Sequence, residues 1–345
     1  MSKLRVGVLG VGEMGLRHAE NIRHRVSNAQ LVGVADVALD RARRVAADLE
    51  IENAYGSLEE MLDSAKPDAV VVATPDTFHA AAVKVVAAAG KAILCEKPLA
   101  LTLSDAHDLL EAVSKAGVSL QVGFMRRYDP AYSAAMKRIE AGEIGTPVVF
   151  KSLGRDKEGP SISSYHTNVN GMLFYTNTIH DFDLARWLML DEVSEVHTYT
   201  TVAIRPEVTE FNDVVASVVN LKFEHGAIGN IESYAQAVYG YDVRTEIVGS
   251  AGSILVGSLV RTPATFLTVN GSTQNTADHF LTTFADAYLA EVQDFVNSIV
   301  EDRDPRVGGK DGLKALAIAV AAEKSHRTAQ PAVVDYESRT RELVS

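Results

Sequence analysis

The chain has 345 residues, a formal net charge of −12 and a single cysteine, Cys95. At about 150 residues per domain this length predicts two domains, and a hydrophobic fraction of 47% with 23% charged residues excludes disordered and fibrous classes. The negative charge disfavours nucleic acids and anionic membranes as partners, and the lone cysteine favours a reducing compartment. No signal peptide and no membrane span is predicted, so we expect a cytoplasmic protein.

The first 124 residues alternate between short apolar strands and longer helical patterns. The strand patterns are Val6–Leu9, Leu31–Ala35, Ala69–Ala73, Ala92–Cys95 and Ser119–Gly123. Strands that are apolar at nearly every position and are separated by helices predict a parallel sheet that is covered on both faces. We therefore expect an α/β domain with a doubly wound parallel sheet over residues 1–124.

After Gly123 the strand patterns are longer and follow one another more directly. They are Val148–Phe150, Glu195–Ile204, Asp213–Phe223, Ala227–Tyr234 and Val243–Val256. One helical pattern, Asn177–Leu190, interrupts them, and two more, Phe280–Val300 and Lys310–His326, close the chain. Successive strands without helices between them predict an antiparallel sheet, so residues 125–345 are expected to form an α+β domain.

A glycine-rich motif follows the first predicted strand and opens a helix. Residues 10–15 read G-x-G-x-x-G, which permits a tight turn, a close approach of the backbone to a pyrophosphate and close helix–strand packing. Asp36 ends the second strand 21 residues after Gly15, where a carboxylate can accept hydrogen bonds from ribose hydroxyls. The pattern predicts a Rossmann dinucleotide site. Its candidate residues here are Gly10, Gly12, Glu13, Met14, Gly15 and Asp36.

Asp36 also indicates which dinucleotide binds. A carboxylate about 4 Å from a 2′-phosphate would repel it by up to roughly 4 kcal/mol at an effective dielectric constant of about 20, which favours NAD over NADP. Arg41, Arg43 and Arg44 on the next helix leave some tolerance of NADP open. We predict NAD as the cofactor.

Two further motifs end neighbouring strands, at the edge where open α/β sheets bind ligands. Thr74 and His79 follow the third strand and are candidates to line the cofactor crevice, although Thr74 can equally serve as a helix cap. Glu96, Lys97 and Pro98 follow the fourth strand, and Glu96 and Lys97 are further candidates to contact the cofactor. A lysine there can stabilise an alkoxide as hydride leaves a substrate, and the alternative is an ordinary surface lysine.

With these motifs the chain resembles the Gfo/Idh/MocA family of NAD(P)-dependent oxidoreductases, and within it most closely the inositol 2-dehydrogenase branch. The resemblance is carried by residues 10–15, 74–79, 96–98, 123–129, 180–183 and 239–244, in family order over nearly the whole length. It implies an open, mainly antiparallel sheet in the second domain, which in this family commonly forms the oligomer interface. It also implies a homo-oligomer, tetramer or dimer, and identifies Lys97 as the functional lysine and His180 as the catalytic base.

His180 suits the role of base independently of the resemblance, because imidazole titrates near neutral pH and can take the proton of a hydroxyl. One position departs from the family. Inositol dehydrogenases typically carry an aspartate four residues before this histidine, and here that position is Thr176. A threonine can hydrogen-bond a hydroxyl but supplies no negative charge to stabilise an imidazolium, which puts inositol itself in doubt as the substrate.

Further polar residues suit the recognition of a hydroxyl-rich ligand, which needs many hydrogen-bond donors and acceptors. They are Arg127, Asp156, Tyr241 and Arg244, each of which could instead have a structural or ion-pair role. His180 and Asp183 could be read as metal ligands, but no third ligand accompanies them and no metal is predicted. Cys95 follows three apolar residues and is expected to be a buried, inert thiol.

The sequence therefore predicts an NAD-dependent dehydrogenase that oxidises a secondary hydroxyl of a cyclic polyol or sugar, with inositol as the leading substrate. In this reading His180 takes the hydroxyl proton, Lys97 polarises the oxygen, and hydride passes to NAD. Two alternatives stay open. One is a sugar or glycoside 3-dehydrogenase, which Thr176 would favour, and the other is a dinucleotide-sensing regulatory protein with the same fold.

Overall fold

The computed structural model describes residues 3–162 and 173–339, which divide between two compact units. The described part of the first unit consists of residues 3–128, 286–316 and 338–339. The described part of the second consists of residues 129–162, 173–285 and 317–337. In the described residues, no helix combines the length and the apolar character that crossing a membrane would require.

The first unit contains a six-stranded parallel sheet. Its strands are β1 (Leu4–Leu9), β2 (Ala29–Ala35), β3 (Ala54–Tyr55), β4 (Ala69–Val72), β5 (Ala92–Cys95) and β6 (Leu120–Val122). They lie in the order β3-β2-β1-β4-β5-β6. The chain adds strands on one side of β1 and then, from β4 onwards, on the other side, which is the topology of the doubly wound dinucleotide-binding fold. The predicted fold class of this part is confirmed, and the short strand β3 is an element that the apolar pattern did not reveal.

The helices of this unit connect successive strands. They are α1 (Glu13–His24), α2 (Leu39–Asp48), α3 (Leu58–Ala65), α4 (His79–Ala88) and α5 (Leu103–Ala116). Two of them begin at side-chain caps, since Ser57 accepts from the Glu60 N–H at 3.2 Å and Thr102 accepts from the Asp105 N–H at 3.0 Å. Caps of this kind satisfy backbone donors at a helix start and so fix where the helix begins.

One late segment also belongs to the first unit. The short helix α8 (Phe280–Thr283) precedes helix α9 (Ala285–Val300). Val292, Phe295 and Val296 of α9 are fully buried in the same apolar cluster as residues of β1 and α1. Residues 286–316 therefore pack with the first unit, although the strand pattern predicts one second domain over all of residues 125–345. The physical reason is that the apolar face of α9 covers part of the parallel sheet's core, a long-range contact that local patterns do not encode.

The second unit is built around a seven-stranded sheet. Its strands are β7 (Pro147–Arg155), β8 (Val193–Thr201), β9 (Ala216–Phe223), β10 (Ile228–Tyr234), β11 (Asp242–Gly249), β12 (Ser253–Val256) and β15 (Ala332–Val333), in the order β12-β11-β7-β10-β9-β8-β15. All neighbours are antiparallel except β7 and β10, which are parallel. The predicted α+β class with a mainly antiparallel sheet is confirmed.

The remaining elements show where the sequence pattern was too coarse. The described helices of this unit are α6 (Pro130–Glu140), α7 (Ile179–Met189), α8 and the C-terminal part of α10. Helix α10 spans Gly309–Thr328, and its residues 309–316 belong to the first unit. The predicted strand Val243–Val256 is two strands, because the Gly249 N–H bonds to the Gly252 carbonyl and closes a turn. A hairpin of β13 (Val260–Thr268) and β14 (Gly271–Thr276) was not predicted.

Candidate active site

The glycine-rich turn joins β1 to α1. Gly10 has a φ of +81°, and a Cβ there would lie 2.5 Å from the carbonyl oxygen of Ala73. A Cβ on Gly15 would lie 1.8 Å from the Gly10 carbonyl oxygen, so neither position accepts a side chain. A Cβ on Gly12 would meet nothing within 4 Å, which leaves open space at the helix N-terminus. This is the geometry that receives a pyrophosphate.

Asp36 lies directly after β2 and is tied to the same turn. Its carboxylate accepts from the backbone N–H of Val11 at 3.1 Å and from that of Ala38 at 2.8 Å, and Arg41 lies 3.4 Å away. The side chain is buried, with 6% exposed. The predicted pairing of the glycine motif with an acid at the end of the second strand is therefore present in the fold.

The Asp36 carboxylate is expected to set the preference between the two dinucleotides. Asp36→Asn keeps an acceptor oxygen and removes the charge, so the ratio of kcat/KM with NAD to kcat/KM with NADP should fall about tenfold or more. The measurement is steady-state kinetics with both dinucleotides. Asp40→Asn, at an exposed acid that pairs with Arg43 at 3.3 Å, is the matched control and should leave the ratio unchanged. An unchanged ratio in Asp36→Asn would contradict this assignment.

Thr74 and His79 lie beyond the end of β4. The Thr74 hydroxyl is buried and has no hydrogen-bond partner among the described residues, so it is available to a ligand. The ring nitrogens of His79 lie 2.9 Å from the Thr74 carbonyl oxygen and 2.7 Å from the Pro98 carbonyl oxygen. His79 therefore holds the turns after β4 and β5 together, and its buried ring is engaged by backbone.

Glu96 and Lys97 follow β5. One carboxylate oxygen of Glu96 lies 2.7 Å from Nε2 of His18, and the other accepts from the Lys97 backbone N–H at 3.3 Å. Burial by itself raises the pKa of Glu96, but the hydrogen bond from His18 and the nearby Lys97 outweigh it and hold that pKa below its ordinary value. Glu96 is thus a buried carboxylate beside the half-buried Lys97, and Cys95 is buried as predicted.

Glu291 lies beside the pair of His18 and Glu96, and the local sequence pattern did not reveal it. Glu291 of α9 is fully buried, and one ligand atom from each of His18, Glu96 and Glu291 lies within 4.8 Å of the others. Burial and the charge of Glu96 raise the pKa of Glu291 well above its ordinary value. The available signal was a glutamate on the apolar face of a helix, next to Val292.

In the second unit, His180 follows a π-helical segment, Leu173–Thr178. The Thr178 hydroxyl contacts the Leu173 carbonyl at 3.0 Å and the Ser233 hydroxyl at 2.9 Å, which anchors the segment to β10. Thr176 is half-buried within it, and His180 is buried near the start of α7. π-helical turns are rare in proteins, and those that occur often lie at functional sites. The helical sequence pattern did not reveal this one.

The other predicted substrate residues have different surroundings. Asp156 accepts from the Asn177 amide at 2.6 Å and so contacts the π-helical segment. The Tyr241 ring packs edge-on against Phe284 with a centroid distance of 6.2 Å. Arg127 belongs to the first unit, where its guanidinium pairs with Asp311 at 3.0 Å. The structure thus joins Asp156 to the segment that carries Thr176 and engages Arg127 in an ion pair.

The remaining candidates are placed as follows. Arg244 donates two hydrogen bonds to Asp242, at 2.8 and 2.9 Å. Glu13 is exposed and Met14 half-buried at the start of α1. Asp183 is buried in α7, and the group of His18, Glu96 and Glu291 is the one described cluster with three potential metal ligands. That the protein needs no metal stays a prediction.

Comparison with known proteins gives matches over nearly the whole chain. Residues 4–124 match the family model of the Gfo/Idh/MocA oxidoreductases described as an NAD-binding Rossmann fold. Residues 136–334 match the model of the same family's C-terminal alpha/beta domain. The first range contains the parallel sheet, and the second contains every strand of the seven-stranded sheet together with residues 286–316, which pack with the first unit.

Individual relatives have specific activities in their names. The scyllo-inositol 2-dehydrogenase (NAD(+)) of Bacillus subtilis is 36% identical over 96% of this chain and 97% of its own length. The myo-inositol 2-dehydrogenase of Thermotoga maritima is 36% identical over 93% of this chain and 96% of its own. The crystal structure of scyllo-inositol dehydrogenase from Lactobacillus casei, with bound NAD(H) and scyllo-inositol, superposes with a TM-score of 0.91 at 26% identity, covering 96% and 99% of the two chains.

Proposed function

The chain belongs to the Gfo/Idh/MocA family of oxidoreductases, and from that premise we propose that it oxidises a secondary hydroxyl of an inositol, with His180 as the base and Lys97 polarising the hydroxyl. Its relatives make it an NAD-dependent oxidoreductase that acts on the CH–OH group of a cyclic polyol. The observation that carries the proposal is the hydrogen bond from Val11 in the glycine turn to Asp36, together with Lys97 directly after Glu96 at the end of β5.

The first unit has the groups that NAD needs. The open space at Gly12 leaves room for the pyrophosphate, Asp36 offers carboxylate oxygens to the adenosine ribose, and the unpartnered Thr74 hydroxyl can bond the cofactor. When bound, NAD accepts the hydride that leaves the substrate carbon. We assign the parallel-sheet unit to NAD and the mixed-sheet unit to substrate recognition and subunit contacts.

His180 and Lys97 divide the proton chemistry. The imidazole of His180 takes the proton of the substrate hydroxyl, and the ammonium of Lys97 stabilises the negative charge that develops on its oxygen. Without the family aspartate, the imidazolium has Thr176 four residues away instead of a carboxylate. Thr176 is therefore assigned to hydrogen bonding with the substrate, with Arg127, Asp156 and Tyr241 as further proposed substrate residues.

Thr176 also favours a second candidate activity, a sugar or glycoside 3-dehydrogenase. NADH formation, followed by absorbance across a panel of inositol isomers, free sugars and glycosides, separates the two. We expect turnover of at least one inositol with kcat/KM about tenfold or more above every glycoside, since a misfitting ring loses several hydrogen bonds. Higher kcat/KM with glycosides would favour the second candidate. Tight NADH binding without turnover of any substrate would overturn the proposed activity and favour a regulatory sensor.

The outer face of the seven-stranded sheet supports self-association. Tyr199 and Val218 are paired across β8 and β9, and both are exposed, as is Ile228 on β10. A second copy of this chain is the proposed occupant of that face, in a dimer or tetramer in the cytoplasm, with no nucleic acid or membrane as partner. A monomeric mass in light scattering would contradict the oligomer, and membrane-bound protein in cell fractionation would contradict the location.

A further inference from the structure

Three ionisable side chains from different elements meet next to the backbone of Lys97. His18 comes from α1, Glu96 follows β5, and Glu291 comes from α9. All three are buried. The proposed function uses Lys97 and leaves this group, termed the buried triad, without a role.

Glu96 is held tightly within the buried triad. Its two oxygens contact His18 and the Lys97 backbone N–H, as described above. A Cβ on Gly123 would lie 2.9 Å from the second of these oxygens, so the end of β6 leaves space for the carboxylate only because this residue is glycine. The Tyr288 ring also packs edge-on against His18, with a centroid distance of 6.2 Å.

Glu291 contrasts with Glu96. Neither of its carboxyl oxygens has a hydrogen-bond partner among the described residues, although its backbone carbonyl accepts from the Gln121 amide at 3.0 Å. A buried carboxylate without donors and close to another carboxylate is strongly disfavoured, whereas a neutral carboxylic acid is tolerated. The environment of Glu291 therefore favours its protonated form.

A metal ion explains the triad less well than a proton does. Two ligands of one tetrahedral ion, each about 2.1 Å from it, lie more than about 3 Å apart. Nε2 of His18 and the nearer oxygen of Glu96 are 2.7 Å apart, the spacing of a hydrogen bond. The geometry of this pair is that of two atoms sharing a proton.

We propose that the buried triad carries one carboxylate charge, on Glu96, with Glu291 as a neutral acid, and that Glu96 and Glu291 are positioning residues for Lys97. The part of this inference that concerns Lys97 rests on the proposed function of that lysine. A second carboxylate charge at Glu291 would attract the ammonium of Lys97 toward the triad and compete with the substrate hydroxyl. The titratable groups that interact electrostatically with the two glutamates include His18, His79, Lys97, Cys95 and Tyr128.

The charge state is tested on the protein without substrate. An acid whose pKa is raised by folding makes the free energy of unfolding fall as the pH rises above the pKa of the unfolded state. Glutamine does not titrate, so Glu291→Gln removes this fall. The Tm of Glu291→Gln minus that of the wild type should therefore increase by more than about 2 °C between about pH 5 and pH 8. Asp294→Asn is the control on the same helix, where the lost carboxylate pairs with Arg303 at 2.6 Å, and its difference should show no such increase.

A constant difference across the pH range for Glu291→Gln would overturn the neutral acid, as would a stoichiometric metal ion in the purified wild-type protein. If Glu291→Gln does not fold, infrared spectra of the Glu323→Gln variant decide instead. Glu323 is a second glutamate whose pKa is raised by burial. A carboxylic-acid C=O band that remains without Glu323 supports a neutral Glu291, and absence of that band contradicts it.

The positioning role is tested by the reaction. Glu96→Gln should lower kcat about 10- to 100-fold, because small displacements of a reacting group cost that much, and should shift the pH profile of kcat. Asp294→Asn should change neither. A pH profile that superposes on that of the wild type would reject the positioning role. Failure of the wild type to oxidise any polyol would reject the proposed function itself, while the unfolding experiment would still report the charge of the triad.

Discussion

Replacement of His180 by glutamine is expected to lower kcat about 10²- to 10⁴-fold, because glutamine has a similar size but cannot accept the proton of the substrate hydroxyl. The side chain is buried near the start of α7, directly after the anchored π-helical segment, so a polar replacement of similar size should preserve this local structure. Binding of NADH should remain unchanged, because the proposed cofactor residues all belong to the first unit.

The pH dependence of His180→Gln gives a second measurement. Without a protein base, the proton must leave to solvent, so the residual kcat should continue to rise with pH where the wild type reaches a plateau. His197→Gln is the control, since this half-buried histidine of β8 packs against Tyr199 with a ring distance of 4.7 Å and has no proposed role in catalysis. A kcat in His180→Gln that is within a few fold of the wild type would reject His180 as the base.

Replacement of Lys97 by methionine is expected to lower kcat about 10²- to 10³-fold, the typical cost of losing one donor that stabilises a developing oxyanion. Methionine keeps the unbranched apolar part of the side chain and removes only the charge and the donors. Lys97→Arg should restore little activity, because a planar guanidinium does not replace the compact ammonium at a single oxygen.

The assay for Lys97→Met is steady-state kinetics with the best substrate of the panel, combined with NADH titration by fluorescence. Lys91→Met, at the opposite end of β5, is the matched control and should retain the activity of the wild type. Equal kcat values for the wild type and Lys97→Met would show that the lysine after β5 has no part in the chemistry.

The sequence predicted the parallel sheet well, because its strands are recognisable from local patterns. β4 and β5 consist of apolar residues with hardly any exposure, and a proline follows three residues after the end of each strand. The hairpin of β13 and β14 was missed for the opposite reason. Most of its described side chains are exposed, so β14 in particular is polar and lacks the alternation by which half-buried strands are recognised.

The candidate site divides in the same way. Gly10, Gly15 and Asp36 could be predicted because the spacing of the motif is determined by one strand, one turn and one helix. Glu291 could not, since it lies almost 200 positions beyond Glu96 in the sequence and becomes relevant only when α9 packs against the parallel sheet. His18 lies in the motif helix, but nothing local showed that it faces Glu96.

By itself, the sequence determined the two fold classes, the dinucleotide motif and its acid, and the lysine and histidine that the family resemblance identifies. The fold classes and the dinucleotide motif depend on short-range periodicity and spacing, which the chain carries before it folds, whereas Lys97 and His180 are what the resemblance implies. Only the tertiary structure decided that residues 286–316 join the first unit, that a π-helical segment precedes His180, and that His18, Glu96 and Glu291 form one buried cluster. Burial and charge–charge proximity depend on residues far apart in the chain, and folding alone brings them together.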